Sequence, residues 1–385
     1  MRVHVVDPSA YTPPYDHALC TALAHAGARV DLYTSRFAYG PVPPARLYAR
    51  HEDFYRLSHR ARLGRGPRGR RELAVKLAEH VPDMLRYRRR ARAADIVHFQ
   101  WLTVQPLDVH LLPRGRPLVL TAHDVLPRQP RAGQLCAQRR LYDRVDAVVV
   151  HSERGRRRLI EQAGVAPERV HVIAHGALRP TFVAREHAGE PWGEETSGGG
   201  SSRVRLPAEL LTTQRPVVLL PGLLRPYKGL DVLLRAWRGI EDAELWIVGM
   251  PRMNINALRD AAPAGVRFVC RFVDDGELAG LLERASLVVL PYRDIDQSGV
   301  ALTALSAGVP LILSDVGGFP ELAATGAARL VPAGDAGALH DALGQLLSDP
   351  AARATMAARA RTAAAGPYGW DAIAARTLEL YRSLV

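Results

Sequence analysis

Two successive series of short apolar runs, each run followed by a helical pattern, constrain this chain more than any other feature. The first series comprises residues 3–6, 30–33, 96–99, 118–121, 147–150 and 170–173. The second comprises 217–220, 245–248, 266–269, 287–290 and 311–313. Runs with so little polar alternation suit strands buried on both faces of a parallel sheet. Helical stretches separate them; in 16–26, Leu19, Leu23 and Ala26 share one side. This is the pattern of an α/β chain with two doubly wound, Rossmann-like domains. Ligands of open α/β sheets bind beyond the carboxyl ends of the strands, so the two domains are expected to face a common cleft there.

The 385 residues suffice for two domains of ordinary size. The expected divisions are 1–185 for the first domain, 186–213 for a flexible linker or loop, 214–365 for the second domain and 366–385 for a final helix. The linker rests on the polar glycine-serine stretch 194–202. Hydrophobic residues make up 48% and charged residues 23%, which excludes a disordered chain. No apolar run approaches the roughly 18 residues of a membrane span. The opening Met1-Arg2-Val3-His4-Val5-Val6-Asp7 reads as a strand rather than a secretory signal, so a cytoplasmic location is expected. Cys20, Cys136 and Cys270 have no metal-type spacing and are expected to be reduced core residues.

The net charge is +12, and Lys76 and Lys228 are the only lysines in an otherwise arginine-based complement. Between Arg56 and Arg92 stand twelve Arg and one Lys against Glu72, Glu79 and Asp83. Such a block is either an anion-seeking surface or a solvated, arginine-biased helix pair. As an anion-seeking surface, residues 56–92 would meet an anionic or lipid-linked acceptor, or the inner face of the plasma membrane. A specific nucleic-acid partner is not expected, because no recognition helix or aromatic sheet motif accompanies the charge.

The chemistry-bearing motifs lie just after strands. Pro221-Gly222-Leu223-Leu224-Arg225-Pro226-Tyr227-Lys228-Gly229 follows a buried run and precedes a helix. A guanidinium and an ammonium beside a helix start suit a diphosphate. A lysine at 228, where arginine holds nearly every other basic position, suggests a need for a compact charge. Pro291-Tyr292-Arg293-Asp294-Ile295-Asp296-Gln297-Ser298-Gly299 repeats the arrangement, with Ser298 and Gly299 suited to open a helix toward an anion. Ser314-Asp315-Val316-Gly317-Gly318-Phe319-Pro320-Glu321 follows the next strand. In the first half, His98-Phe99-Gln100-Trp101 and Thr121-Ala122-His123-Asp124 end two strands. His123 and Trp101 each either pack in the core or belong to a ligand site at these strand ends. His151-Ser152-Glu153 reads as a structural helix start.

Taken together these motifs resemble the retaining GT-B glycosyltransferases, specifically glycosyltransferase family 4, over nearly the whole chain. His175-Gly176 is similar to the family's "Pro-His-Gly" segment, Val248-Gly249 to its "Val-Gly" strand end near the base, and 368–381 to its final helix, which crosses back to the first domain. The resemblance implies the GT-B fold and transfer of a hexose from a nucleoside-diphosphate sugar, with retention, in glycan, glycolipid or polysaccharide biosynthesis. It implies His123, Arg225 and Lys228 as catalytic residues. It implies Gly222, Gly249, Ser298, Gly299, Thr303 and Glu321 at the donor, and Tyr15, Asp16, Trp101 and Asp124 at the acceptor or cleft. The nucleotide sugar is the co-substrate, and no cofactor or metal is expected, since protein cations would stabilise the departing diphosphate.

The chain departs from the family's pattern in two places. Aligned on Gly308-Val309-Pro310, the family's two glutamates fall on Ile295 and Thr303, with Gln297-Ser298-Gly299 between them. Family members often carry a glycine-rich loop after the first strand; this chain has Tyr11-Thr12-Pro13-Pro14-Tyr15-Asp16. The absent carboxylates motivate one alternative, a catalytically inactive nucleotide- or sugar-binding scaffold.

Overall fold

The computed structural model describes residues 1–37, 42–60, 70–102, 104–127, 133–178, 205–210 and 213–385. They form two compact units: Met1–Gly176 together with Trp370–Val385, and Ala177–Gly369.

The first unit holds a parallel sheet of β1 (Arg2–Asp7), β2 (Arg29–Ser35), β3 (Ala49–Phe54), β4 (Ile96–Phe99), β5 (Leu118–Thr121), β6 (Ala147–Val150) and β7 (Val170–Val172). Their spatial order is β3-β2-β1-β4-β5-β6-β7. Consecutive residues of the central strands enter different cores. Val6, Val97, Leu118, Leu120 and Val148 pack on one face. Val3, Val5, Ile96, Val119 and Val149 pack on the other, together with Ile373, Leu378 and Tyr381 of the final helix Trp370–Leu384. Burial of both faces explains why these strands read as continuous apolar runs.

The second unit holds β8 (Val217–Pro221), β9 (Glu244–Val248), β10 (Val266–Val269), β11 (Leu287–Leu290), β12 (Leu311–Ser314) and β13 (Ala328–Val331). The order is β10-β9-β8-β11-β12-β13, again all parallel. The strand order of each sheet reverses beside its first strand, between β1 and β4 and between β8 and β11, and doubly wound sheets place ligands at such points.

The sequence pattern does not reveal β3 or β13. Both are edge strands, only partly buried and with charged residues in them, so neither carries an apolar run. Most of the anticipated linker, 186–204 and 211–212, lies outside the described residues. Within 205–210, Arg205 donates its amide to Gly276 O (3.3 Å) at the helix Asp275–Arg284. Of the three cysteines only Cys20 is a core residue; Cys136 is exposed and Cys270 half-buried, a correction to the expectation of three buried thiols. No described helix is long and apolar enough to cross a membrane.

Candidate functional site

In the second unit the carboxyl ends of β8, β9 and β10 are drawn together by backbone. Gly222 donates its amide to Val248 O, and Gly249 donates to Val269 O, each at 2.9 Å. Gly249 has φ +149°, and a Cβ there would stand 2.1 Å from Gly222 O. Glycine is therefore required by close approach and not only by the turn.

The loop after β8 then carries the cations. Arg225 is exposed and precedes the single 3₁₀ turn Pro226–Lys228. Gly229 follows with φ +67°, and a Cβ there would lie 2.0 Å from Pro291 O. Lys228 is only 4% exposed. Its Nζ donates to Pro221 O (3.4 Å) and lies 4.9 Å from the centroid of Tyr292. Burial, and then the charge of Arg225, lower its pKa from 10.5 to about 8. A buried ammonium with one long hydrogen bond and a ring face is incompletely satisfied, and an anionic ligand would supply what it lacks.

Tyr292 and Arg293, quoted in the sequence motif but given no role there, complete this arrangement. Arg293 donates its amide to Tyr227 O (2.7 Å), Nη1 to Pro226 O (3.3 Å) and Nη2 to Asp231 Oδ2 (2.6 Å). The end of β11 thus grips the cation loop through both main chain and side chain. The sequence signal for Arg293 was its place after a Pro-Tyr strand end, but its partner at Asp231 lies 62 residues away.

Ser298 caps the helix Gly299–Ser306, its Oγ accepting from Ala301 N at 3.3 Å. A Cβ on Gly299 would meet nothing within 4 Å, so the helix start borders open space. A Cβ on Gly222 would lie 3.0 Å from Lys228 Nζ and 3.3 Å from Val300 Cγ2, so the ammonium, Gly222 and the helix start share one small region. Helix N-termini favour anions, which adds to the cations there. Thr303 donates its hydroxyl to Gly299 O at 2.8 Å within the helix, and Ile295 is buried. The loop carrying Ile295 joins the one after β12: Gly318 donates to Asp296 O (3.1 Å), and a Cβ on Gly317 would stand 1.9 Å from Ile295 O. Glu321 follows in the first turn of Phe319–Ala323, half-buried, and its charge helps burial raise the pKa of Tyr368 to about 12.

In the first unit, imidazoles gather where β4, β5, β6 and β7 end. His98 pairs with Tyr381 OH (2.6 Å) and Thr121 Oγ1 (2.7 Å). His151 Nδ1 donates to Ile173 O (3.0 Å), which leaves its Nε2 to accept from His123 Nδ1 at 3.0 Å. His123 Nε2 is then an acceptor, 3.2 Å from the Gln100 carboxamide. That carboxamide satisfies it when turned to present its nitrogen, which is buried and otherwise lacks a partner. His175 Nδ1 donates to Gly176 O (2.8 Å). Burial keeps all four rings neutral: His98 and His175 fall to about 3, His151 to about 4, and His123 well below its ordinary value, with its histidine neighbours adding to the effect. His151 therefore does more than start the helix Glu153–Ala163, a role the structure gives to Ser152 through Gly155 N (3.0 Å).

Tyr15 is buried against His123 (4.9 Å between centroids), His175 (4.6 Å) and Trp370 (5.2 Å). Asp16 is buried against Asp7, while Asp124 is exposed. Trp101, half-buried, stacks with two rings, His123 at 4.9 Å and Tyr11 at 5.0 Å. Tyr11, exposed, packs on the other side of this pair from the loop after β1, where its local sequence carries no signal of the contact.

The arginine block is only partly free. Arg56 and Arg90 both pair with Asp53, and Arg86 pairs with Asp83. Residues 61–69 lie outside the described residues. Among the described residues, no group of three or more His, Cys, Asp or Glu side chains is placed to hold a metal ion.

Comparison with known proteins bears on the family and the fold. Residues 15–177 match the model of the Glycosyltransferase Family 4 domain, and residues 215–349 that of Glycosyl transferases group 1. The chain is 28% identical over 408 residues to a D-inositol 3-phosphate glycosyltransferase of Kineococcus radiotolerans, covering 95% of this chain and 89% of that protein. It is also 28% identical to an alpha-maltose-1-phosphate synthase of Mycolicibacterium smegmatis, over 76% of this chain and 80% of that protein. Among solved structures, sucrose-phosphate synthase of Thermosynechococcus elongatus superposes with a TM-score of 0.70 at 21% identity, covering 100% of this chain and 99% of the other. HepE of Anabaena in complex with UDP superposes with a TM-score of 0.68 at 18% identity, covering 100% of both chains. The two domain models between them span most of the chain, in the order of its two sheets, and the chain belongs to glycosyltransferase family 4, as a nucleotide-sugar-dependent glycosyltransferase of GT-B fold.

Proposed function

We propose that the protein moves a hexose from a nucleoside-diphosphate sugar to an anionic acceptor, with retention at the anomeric carbon, in glycan, glycolipid or polysaccharide biosynthesis. The bond from the anomeric carbon to the diphosphate breaks, a bond to an acceptor hydroxyl forms, and that hydroxyl passes its proton to the departing diphosphate. Negative charge grows on the departing diphosphate. Arg225, Lys228 and the helix start at Ser298 and Gly299 stabilise it, with Gly222 and Gly249 allowing close approach of backbone. Protein cations take the place of a metal. Thr303 and Glu321 contact the remainder of the donor, Thr303 as an acceptor because its proton is held by Gly299 O. His123, neutral, faces the sugar with Tyr15 and Trp101 packed on it, Asp16 is buried against Asp7 beneath the loop after β1, and Asp124, exposed, is the one of these an acceptor reaches directly.

The observation that carries this reading is the buried, incompletely paired ammonium of Lys228 beside a helix N-terminus that borders open space. The anionic acceptor is supported by the arginine block and by the phosphate in the names of the relatives, D-inositol 3-phosphate glycosyltransferase among them. A lipid-linked acceptor at the cytoplasmic membrane surface fits the same block. UDP is the first nucleotide to try, because HepE was solved with it.

The test is thermal-shift screening against UDP, GDP, ADP and their common sugars, with Lys228→Ala alongside. Ligands that bind the folded state raise apparent stability by mass action. A shift with one base family, lost in the variant, supports the donor site. No shift with any nucleotide contradicts it.

A further inference from the structure

We propose that Tyr292 is a positioning residue for Lys228: its ring face keeps the ammonium charged and in place without supplying a counter-charge, so that a full positive charge is left for an anionic ligand. This rests on the donor reading only in calling that ligand a diphosphate; the relation between ring and ammonium belongs to the ligand-free protein.

The first observation is what surrounds the ammonium. Lys228 is 4% exposed, and its Nζ has Pro221 O at 3.4 Å and the Tyr292 ring, 4.9 Å away at the centroid. Among the described residues no carboxylate pairs with it. Arg225, on its own loop, carries the same charge and joins burial in lowering its pKa to about 8. Asp231, in the helix that follows, is taken by Arg293 (2.6 Å) and Arg235 (3.1 Å). The helix Gly299–Ser306 holds no titratable side chain. Tyr292, at the end of β11, is a phenol that burial pushes further up, so it stays neutral. Apart from one long carbonyl contact, the ring is the group here that favours the charged amine.

The second observation is how the ring is held. Tyr292 is 1% exposed. Before it, Pro291 O lies so near Gly229 that a Cβ there would stand 2.0 Å away. After it, Arg293 donates its amide to Tyr227 O at 2.7 Å. The ring of Tyr227 meets that of Tyr292 at 5.7 Å and nearly perpendicular, and Phe319 packs on it at 5.6 Å. Both sequence neighbours of Tyr292 are thus tied to the turn that carries Lys228, and ring and ammonium keep their register.

A carboxylate in the place of the ring would hold the ammonium more tightly, but it would neutralise the charge and compete with a phosphate for it. A π face attracts a cation through its quadrupole and has no net charge. The ammonium therefore stands uncompensated near the start of the helix Gly299–Ser306, where an anion is favoured.

The experiment is an NMR titration of the lysine side chains in the full chain. Lys76 and Lys228 are the only lysines, so an isotope-labelled sample shows two signals, assigned with Lys76→Arg. Wild type is compared with Tyr292→Phe, Tyr292→Leu and a fluorinated phenylalanine at the same position, which keeps the shape and weakens the negative face of the ring. Tyr292→Phe is expected to titrate as wild type does, Tyr292→Leu with a midpoint about one pH unit lower, and the fluorinated ring with a shift in the same direction. UDP is then titrated calorimetrically into the same samples at pH 6 and pH 8. The loss of affinity in Tyr292→Leu should be about five-fold greater at pH 8, where fewer of its Lys228 side chains are charged. Equal midpoints in wild type, Tyr292→Leu and the fluorinated protein overturn the inference. So does a Tyr292→Phe midpoint as low as that of Tyr292→Leu, or a loss of affinity that is the same at both pH values. The fluorinated ring preserves the packing and decides the matter if Tyr292→Leu does not fold. If wild type binds no UDP, the donor reading fails, and the titration still decides the part of Tyr292.

Discussion

Arg293 Nη2 donates to Asp231 Oδ2 at 2.6 Å and closes the loop bearing Arg225 and Lys228 against the end of β11. With the Tyr227 O and Pro226 O contacts, one residue holds both ends of the cation turn. Exposed ion pairs of this kind stabilise folds by only about 0–1 kcal/mol, so its effect belongs to position rather than stability. Arg293→Ala is expected to leave the melting temperature nearly unchanged and weaken UDP binding by about ten-fold, with partial recovery in Arg293→Lys. Calorimetric titration checks this, and unaltered affinity in Arg293→Ala contradicts it.

Lys228 illustrates a site that costs stability. Its folded pKa, about 8, lies below the ordinary 10.5, so the folded state disfavours the charged amine. The cost is complete below about pH 8 and fades as pH rises from about 8 toward 10.5. Lys228→Met keeps the volume and removes the charge. It is expected to stabilise the ligand-free protein at pH 7 by roughly 1–3 kcal/mol while abolishing the UDP shift. Denaturant unfolding with and without UDP reads both effects.

The same group sets a pH dependence of binding. Diphosphate needs the protonated amine, so UDP affinity should hold below about pH 8 and fall above it. Bound diphosphate raises the pKa in the complex, so the fall continues until pH reaches that higher value. A titration series from pH 6 to 10 in wild type and Lys228→Arg tests this; an arginine stays charged and removes the limb. Identical profiles would refute Lys228 as its source.

Two glycines of the donor region should respond oppositely. Gly249→Ala puts a Cβ 2.1 Å from Gly222 O at φ +149°, and is expected to cost about 3 kcal/mol or more. Gly299→Ala meets open space, and should hold or gain stability within about 1 kcal/mol. If backbone at the helix start touches the donor, Gly299→Ala nonetheless weakens UDP binding. Melting curves with and without UDP distinguish the two changes.

The arginine block makes a separate prediction. Arg90 pairs with Asp53, whereas among the described residues Arg88 and Arg89 form no ion pair. Arg88→Ala/Arg89→Ala/Arg90→Ala is expected to reduce binding to phosphatidylglycerol vesicles by about ten-fold or more, with Arg90 contributing least. Unchanged co-sedimentation would remove the membrane from the account.

Much of this was legible in the chain because buried parallel strands write themselves as apolar runs, and the loops after them carry the chemistry. Edge strands β3 and β13 were not legible, since half-exposed strands have no such run. Gly222, Arg225, Lys228 and Ser298 could be picked from local motifs, and the structure brings Gly222, Lys228 and the helix start together. Arg293 and Tyr11 could not be picked, because their meaning lies in partners far along the chain, Asp231 for one and Trp101 for the other. Trp101 was conspicuous by type, but its stacking with Tyr11 and His123 was not.

The most direct measurement is the rate of nucleoside-diphosphate release from the nucleotide sugar selected by thermal shift, with a phosphorylated acceptor present, for wild type and Lys228→Ala. Removing a group that stabilises the departing charge should slow release by about 10²–10³-fold while the fold persists. Equal rates in the two proteins would show that the diphosphate leaves without help from this loop, and would contradict the account.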